Sequence, residues 1–232
     1  METLVTKKVS IVLSLNFKER MEPKERILSK AAELFMQYGI RSVSMDDIAN
    51  HLGMSKKTLY QYFSDKDELV TAVVDAHISG MENDCLQRSV QSVDAVQEMF
   101  RTMDFINEEL GNLNPMLLYD LEKFHFKAFQ KFKEHKDNFF YNIIRKNIEW
   151  GIKDDLYRSD IDVDVLCRFR IESMFIPFDV TVFQAGKYNL ASVSEMIIEH
   201  FTYGLVTPKG YKLIQKYHEQ RKNKISYDES KN

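Results

Sequence analysis

Residues 55–69, "SKKTLYQYFSDKDEL", gather two adjacent lysines, a threonine, a glutamine and two tyrosines in one short amphipathic run. Leu59 and Phe63 lie four apart, the spacing that puts both on one face of a helix, so they are its inward anchors. The opposite face offers Lys57, Thr58 and Gln61, hydrogen-bonders suited to base edges, and Thr58 can also touch a thymine methyl. Lys56 adds a cation beside them. Tyr60 and Tyr62 carry hydroxyls on stiff arms, suited to phosphate oxygens. Lys66 opens the next helix, where a cation and free backbone N–H groups can share a phosphate. Ser44 and Ser55 are natural N-caps whose hydroxyls join the same set. This is the chemistry of a helix held in a duplex groove by phosphate contacts, which fix register but read no sequence. Each residue also has a plainer role: the lysines as solvated surface, Tyr62 as core beside Phe63, the serines as caps only, Lys66 as a partner of nearby acids.

Such a helix must be carried by others. "EPKERILSKAAELFMQYG" puts Pro23 in a helix first turn, where its missing N–H costs little. Ile27, Ala31, Leu34, Phe35 and Tyr38 follow at helical spacing, and Gly39 closes the element. Ser44 then caps a second helix, with Asp46 and Asp47 in its first turn and Gly53 at its end. Ser55 caps the third. A turn of about three residues between the second and third helices fits a helix-turn-helix. A fourth helix runs from Asp65 to about Arg88.

The chain has 232 residues, 44% hydrophobic and 12% aromatic, with 8 Gly and 4 Pro. So few breakers predict an all-α protein. The formal net charge of -3 gives no overall basic field. Residues 21–70 hold 7 Lys or Arg against 8 Asp or Glu, so the headpiece is no indiscriminate basic binder. Cys85 and Cys167 match no metal or redox spacing and fit buried thiols in a reducing cytoplasm. The apolar run "VSIVLSLNF" is too short to span a bilayer, and no membrane association is expected. With Met21 just ahead of a well-formed helix start, residues 1–20 are expected to be a loosely attached extension.

Beyond residue 88 the pattern stays helical and is less diagnostic. One helix is expected to end near Gly111. A long segment follows over 116–150 with a break around 131–137. Two more helices follow over 162–185, kinked at Pro177, and 190–206. In the aromatic run over 122–141, Phe124, Phe129 and Phe132 nearly share one stripe beside His125. Core packing and an apolar ligand pocket both fit that stripe. Glu122 and His125 have Glu-x-x-His spacing, but no second copy exists to complete a di-iron site, so neither metal nor cofactor is expected. No phosphate loop or nucleophile motif points to an enzyme. Leu166, Phe169, Met174, Phe175, Val193, Met196, Ile197 and Phe201 fit a dimer seam or plain core equally. From Lys209 on, 7 Lys or Arg against 3 Asp or Glu make a basic tail.

The "AAELF…YG" first helix, the second helix with "IA…LG-x-S" and the third with "TLYQYF…K-x-EL" resemble the DNA-binding domain of the TetR family of bacterial transcriptional regulators. The resemblance covers about residues 24–69. It implies a three-helix helix-turn-helix domain over 21–68, followed by a larger helical effector-binding and dimerisation domain over 69–208, with the tail over 209–232. It implies a cytoplasmic homodimer on double-stranded DNA at a palindromic operator, most simply a repressor released by a small-molecule effector near Phe124, His125, Phe129 and Phe132. The fourth helix joins head to body and is the natural lever. The acidic headpiece keeps an alternative open: a helical protein-interaction module with a degenerate DNA-binding head.

Overall fold

A computed structural model describes residues 22–229 except Asn112 and Ala185; the expected extension over 1–20 lies outside the described residues. Helix α1, Pro23–Tyr38, starts on its proline and ends where the Gly39 N–H donates to the Phe35 carbonyl. It buries Ile27, Ala31, Leu34 and Phe35, one turn apart along one face. Helix α2, Met45–Leu52, is opened by a reciprocal capping box between Ser44 and Asp47. Gly53 ends it at φ 63, a left-handed conformation that a side chain would strain. Helix α3, Lys56–Tyr62, begins where the Ser55 hydroxyl accepts the Thr58 N–H at 3.0 Å. Helix α4, Lys66–Gln91, is capped by Asp65, which accepts from the Glu68 N–H.

The first three helices and the start of α4 close one core around Ile27, Ala31, Ile48, Leu59, Phe63, Leu69 and Val70. That core is not confined to the headpiece. Leu121 of α6 (Leu117–Phe124) and Ala128 of α7 (Phe126–His135) are buried in it, with Phe129 and Phe132 packed alongside. Polar contacts follow the same seam: the Asp120 carboxylate accepts the Arg41 N–H at 2.9 Å, and the Met36 carbonyl accepts the Asn114 N–H at 2.7 Å.

The second core is built by α5 (Ala95–Leu110), α8 (Tyr141–Lys153), α9 (Val163–Ser173), α10 (Leu190–Leu205) and α11 (Pro208–Glu229). Helix α5 lies against α8, α10 and α11, so its Met99, Phe100 and Met103 sit at the centre. Tyr157, 1% exposed, anchors the loop after α8. Its hydroxyl lies 3.0 Å from the Ala95 carbonyl and 3.2 Å from Asn147 Oδ1, and Asn147 Nδ2 donates to Glu98 at 2.6 Å. Its ring fills the space where a Cβ on Gly151 would stand.

Two features differ from the sequence expectations, and a third adds to them. The long central segment breaks at His125, between α6 and α7, and a π-helical turn over Lys136–Phe140 leads into α8. Helix α9 ends at Ser173 instead of continuing through a kink. Pro177 has no N–H to give the Ser173 carbonyl, and the chain passes into a 3-10 turn, Ile176–Phe178. The basic segment from Lys209 lies in α11, whose Gly210, Ile214 and Tyr217 are buried against the body. Arg221 there pairs with Asp104 and Glu195.

Candidate nucleic-acid interface and internal cavity

With Leu59 fully buried and Phe63 at 1% exposure, the register of α3 is fixed, and at roughly 100° per residue Lys57 and Gln61 point directly away from them. Tyr60 flanks that line on one side and Thr58 on the other. Lys57, Tyr60, Gln61 and Tyr62 are exposed and Thr58 is partly so. The Lys57 and Gln61 side chains have no hydrogen bond or ion pair among the described residues, so both are free to engage a ligand.

Ser44, Ser55, Lys56, Thr58 and Lys66 are already engaged, while the Tyr60 and Tyr62 hydroxyls make no hydrogen bond among the described residues. The Thr58 hydroxyl lies 2.7 Å from the Ser55 hydroxyl, so both caps and side chains close the helix start. The Ser44 hydroxyl donates to Asp47 at 2.6 Å. Lys56 pairs with Asp46 at 2.8 Å and lies 5.9 Å from the centre of the Tyr60 ring. Lys66 turns inward: its ammonium donates to the Ile40 carbonyl at 2.7 Å, and desolvation lowers its pKa. Its charge stays near the start of α4, but one donor is committed to holding the α1–α2 connection. Hydrogen bonds from the Ser44 hydroxyl and N–H hold the Asp47 carboxyl below its usual range, and Ser64 does the same for Glu68.

Between the two cores lies a cavity of about 300 Å³, at the small end of ligand sites, which run roughly 300–1,000 Å³. Helix α1 contributes Met36, α4 contributes Val74 and Met81, and the body contributes Met99, Phe132 and Ile198. Of the four aromatic-run residues expected at a ligand site, Phe132 alone lines this cavity, with its ring edge-on to Phe175. The other three face elsewhere because the break at His125 turns the stripe. Phe124 is exposed beneath the Arg41 guanidinium, His125 pairs with Asp67 of α4, and Phe129 packs in the head core.

The cavity's charged wall is absent from the sequence expectations. Arg170 is 4% exposed and lines the cavity, as do Glu98, Asn147, Ser173 and Ser194. The signal was the buried stripe Cys167, Arg170, Ile171 on α9, which puts a guanidinium where an aliphatic side chain belongs. The seam residues also sort differently. Val165 and Phe169 on α9 and Met196 and Tyr203 on α10 are exposed, while Val193 and Phe201 are buried and Met174 and Phe175 line the cavity. Phe169 stacks on Phe201 at 6.2 Å, so the exposed faces of the two helices adjoin.

Among the described residues no helix is long and apolar enough to cross a membrane.

Residues 27–73 match the family described as "Bacterial regulatory proteins, tetR family". The uncharacterised HTH-type transcriptional regulator YvaF of Bacillus subtilis is 36% identical over 107 residues, 45% of this chain and 55% of that protein. This chain thus spans about half the length of that relative. The HTH-type transcriptional repressor KstR2 of Rhodococcus jostii is 25% identical over 154 residues, 65% of this chain and 75% of that protein. A solved TetR-family regulator from Agrobacterium tumefaciens shares the fold at a TM-score of 0.67 and 14% identity, covering 79% of this chain and 97% of that one.

Proposed function

We propose, from the premise that this chain belongs to the TetR family through its N-terminal domain, that it regulates transcription as a homodimer on a palindromic operator. The carrying observation is α3. Its register is locked by two buried anchors, and its outward line of Lys57 and Gln61, flanked by Tyr60 and Thr58, suits the major groove. Lys57 and Gln61 read base edges; Tyr60, Tyr62, Lys56 and the Lys66 charge hold phosphates around them. The apolar faces of α9 and α10, led by Phe169 and Met196, pair with their copies to make the dimer.

The response to an effector follows from α4. One end of it belongs to the head core, and its next turns wall the cavity. A ligand that binds better when α4 is tilted away from the DNA-competent arrangement lowers operator affinity by that difference, and by no more. Repression is the direction we adopt, in line with the name of the Rhodococcus relative.

The test is selection from a random duplex library with the full chain. A palindrome with half-site centres about 35 Å apart should emerge, bound more weakly as salt rises. The double variant Lys57→Ala/Gln61→Ala should lose the selected site. Failure to enrich any sequence at low salt would instead favour the protein-interaction reading, which the surplus of acids in the headpiece supports.

A further inference from the structure

The cavity wall holds a charge that no acidic group among the described residues answers. Arg170 is 4% exposed, deeper than most arginines lie without a carboxylate partner. Yet no Asp or Glu among the described residues pairs with it. Its guanidinium has only a long contact, 3.4 Å, to the Ser173 hydroxyl, and the Phe201 ring 5.9 Å away. The Ser173 hydroxyl itself donates to the Arg170 carbonyl, which leaves its lone pairs to the guanidinium. Burial pulls the pKa of Arg170 down to about 10, and the side chain is still cationic at neutral pH. A buried, uncompensated cation is costly, and an anion supplied from outside relieves that cost.

The rest of the cavity says what should accompany that anion. Met36, Val74, Met81, Met99 and Ile198 present an apolar wall, and the methionines can adapt to a flexible chain. Glu98 also lines it, with one carboxylate oxygen taken by Asn147 at 2.6 Å. Its negative charge disfavours a second anionic group in the same space.

We infer that the ligand of this cavity is a monoanionic amphiphile, an apolar chain ending in a carboxylate, with the carboxylate against Arg170 and Ser173 and the chain among the methionines. This assignment rests on the effector reading above and narrows it to a ligand class. Arg170 suits a carboxylate because its planar fork can donate two parallel hydrogen bonds.

The experiment is isothermal titration of the full chain, without DNA, with decanoate, its methyl ester, decanol, decyltrimethylammonium and decanoyl-CoA. Decanoate should bind, and the neutral and cationic analogues should bind about tenfold to a hundredfold more weakly, as fits loss of a charge-assisted hydrogen bond. Arg170→Met should erase that preference and leave all the neutral chains bound alike. It should also raise the melting temperature of the unliganded protein, since it removes an unpaired buried charge. Equal binding of decanol and decanoate to the wild-type chain overturns the assignment, as does unchanged decanoate affinity in Arg170→Met. Tight binding of decanoyl-CoA with weak binding of decanoate overturns it in favour of a thioester. The wild-type series decides even if the variant fails to fold. Decanoate that binds as inferred but leaves the selected operator's affinity unchanged would count against effector control, and this assignment would stand.

Discussion

At the scale of single residues, the headpiece separates side chains that face outward from those that hold it together. Lys57 has no partner among the described residues, whereas Lys66 is bound to the Ile40 carbonyl. Lys57→Ala should therefore leave the melting temperature unchanged and weaken the selected operator by about 1–3 kcal/mol if it reads a base edge. Lys66→Ala should lower stability by about 1 kcal/mol, measured by urea titration, before any effect on DNA is considered. The capping carboxylates set a pH dependence. Asp47 and Glu68 have folded pKa values lowered by hydrogen bonds from Ser44 and Ser64. Their stabilising contribution is thus present above the unfolded carboxylate value, near about pH 4, and is lost as pH falls through the lower folded values. The hydrogen-exchange protection of α2 and α4, taken relative to the intrinsic rate at each pH, should fall on that acid side, and Ser44→Ala should flatten the change in α2. Such caps were legible from sequence because they depend only on neighbours three residues apart. Lys66 was not, because its partner carbonyl lies 26 positions away.

At the scale of elements, the short α3 owes its position to its neighbours. Seven residues are too few to form a stable helix alone, so packing of Leu59 and Phe63 must hold it. Leu59→Ala should cost about 2–5 kcal/mol and abolish operator binding together with the helix, as read by circular dichroism. Gly53→Ala should cost about 1 kcal/mol through backbone strain alone, because open space surrounds the position. The helix-turn-helix was readable because caps, glycines and a 3.6-residue period all agree there. The body was not. His125 breaks the aromatic stripe through a local turn, so a periodicity drawn through Phe124, Phe129 and Phe132 spans two helices that point different ways. Pro177 illustrates the converse: proline was visible, but kink and stop differ only by what the following residues can pack against.

At the scale of the whole molecule, two cores share one cavity and one long helix. The body core depends on the Tyr157–Asn147–Glu98 network, which satisfies polar groups with almost no access to water. Tyr157→Phe should cost about 1–3 kcal/mol by removing the single hydroxyl donor that the Ala95 carbonyl and Asn147 Oδ1 share, although that carbonyl keeps its bond from Asn147 Nδ2. Gly151→Ala should cost at least as much, because the new methyl meets the Tyr157 ring and that ring has nowhere to move. The seam at α6 and α7 carries a consequence for any attempt to treat the reading head as a transferable part. Cut after residue 68, it would leave behind Leu69, Val70, Leu121 and Ala128, which close its own interior. A chimera that grafts only the first three helices onto a foreign body should melt early or aggregate, while one that also imports the start of α4 with Leu69 and Val70, together with Leu117–His135, should stay folded. If α3 reads DNA as proposed, its sequence specificity is inherited together with a piece of the body beneath it.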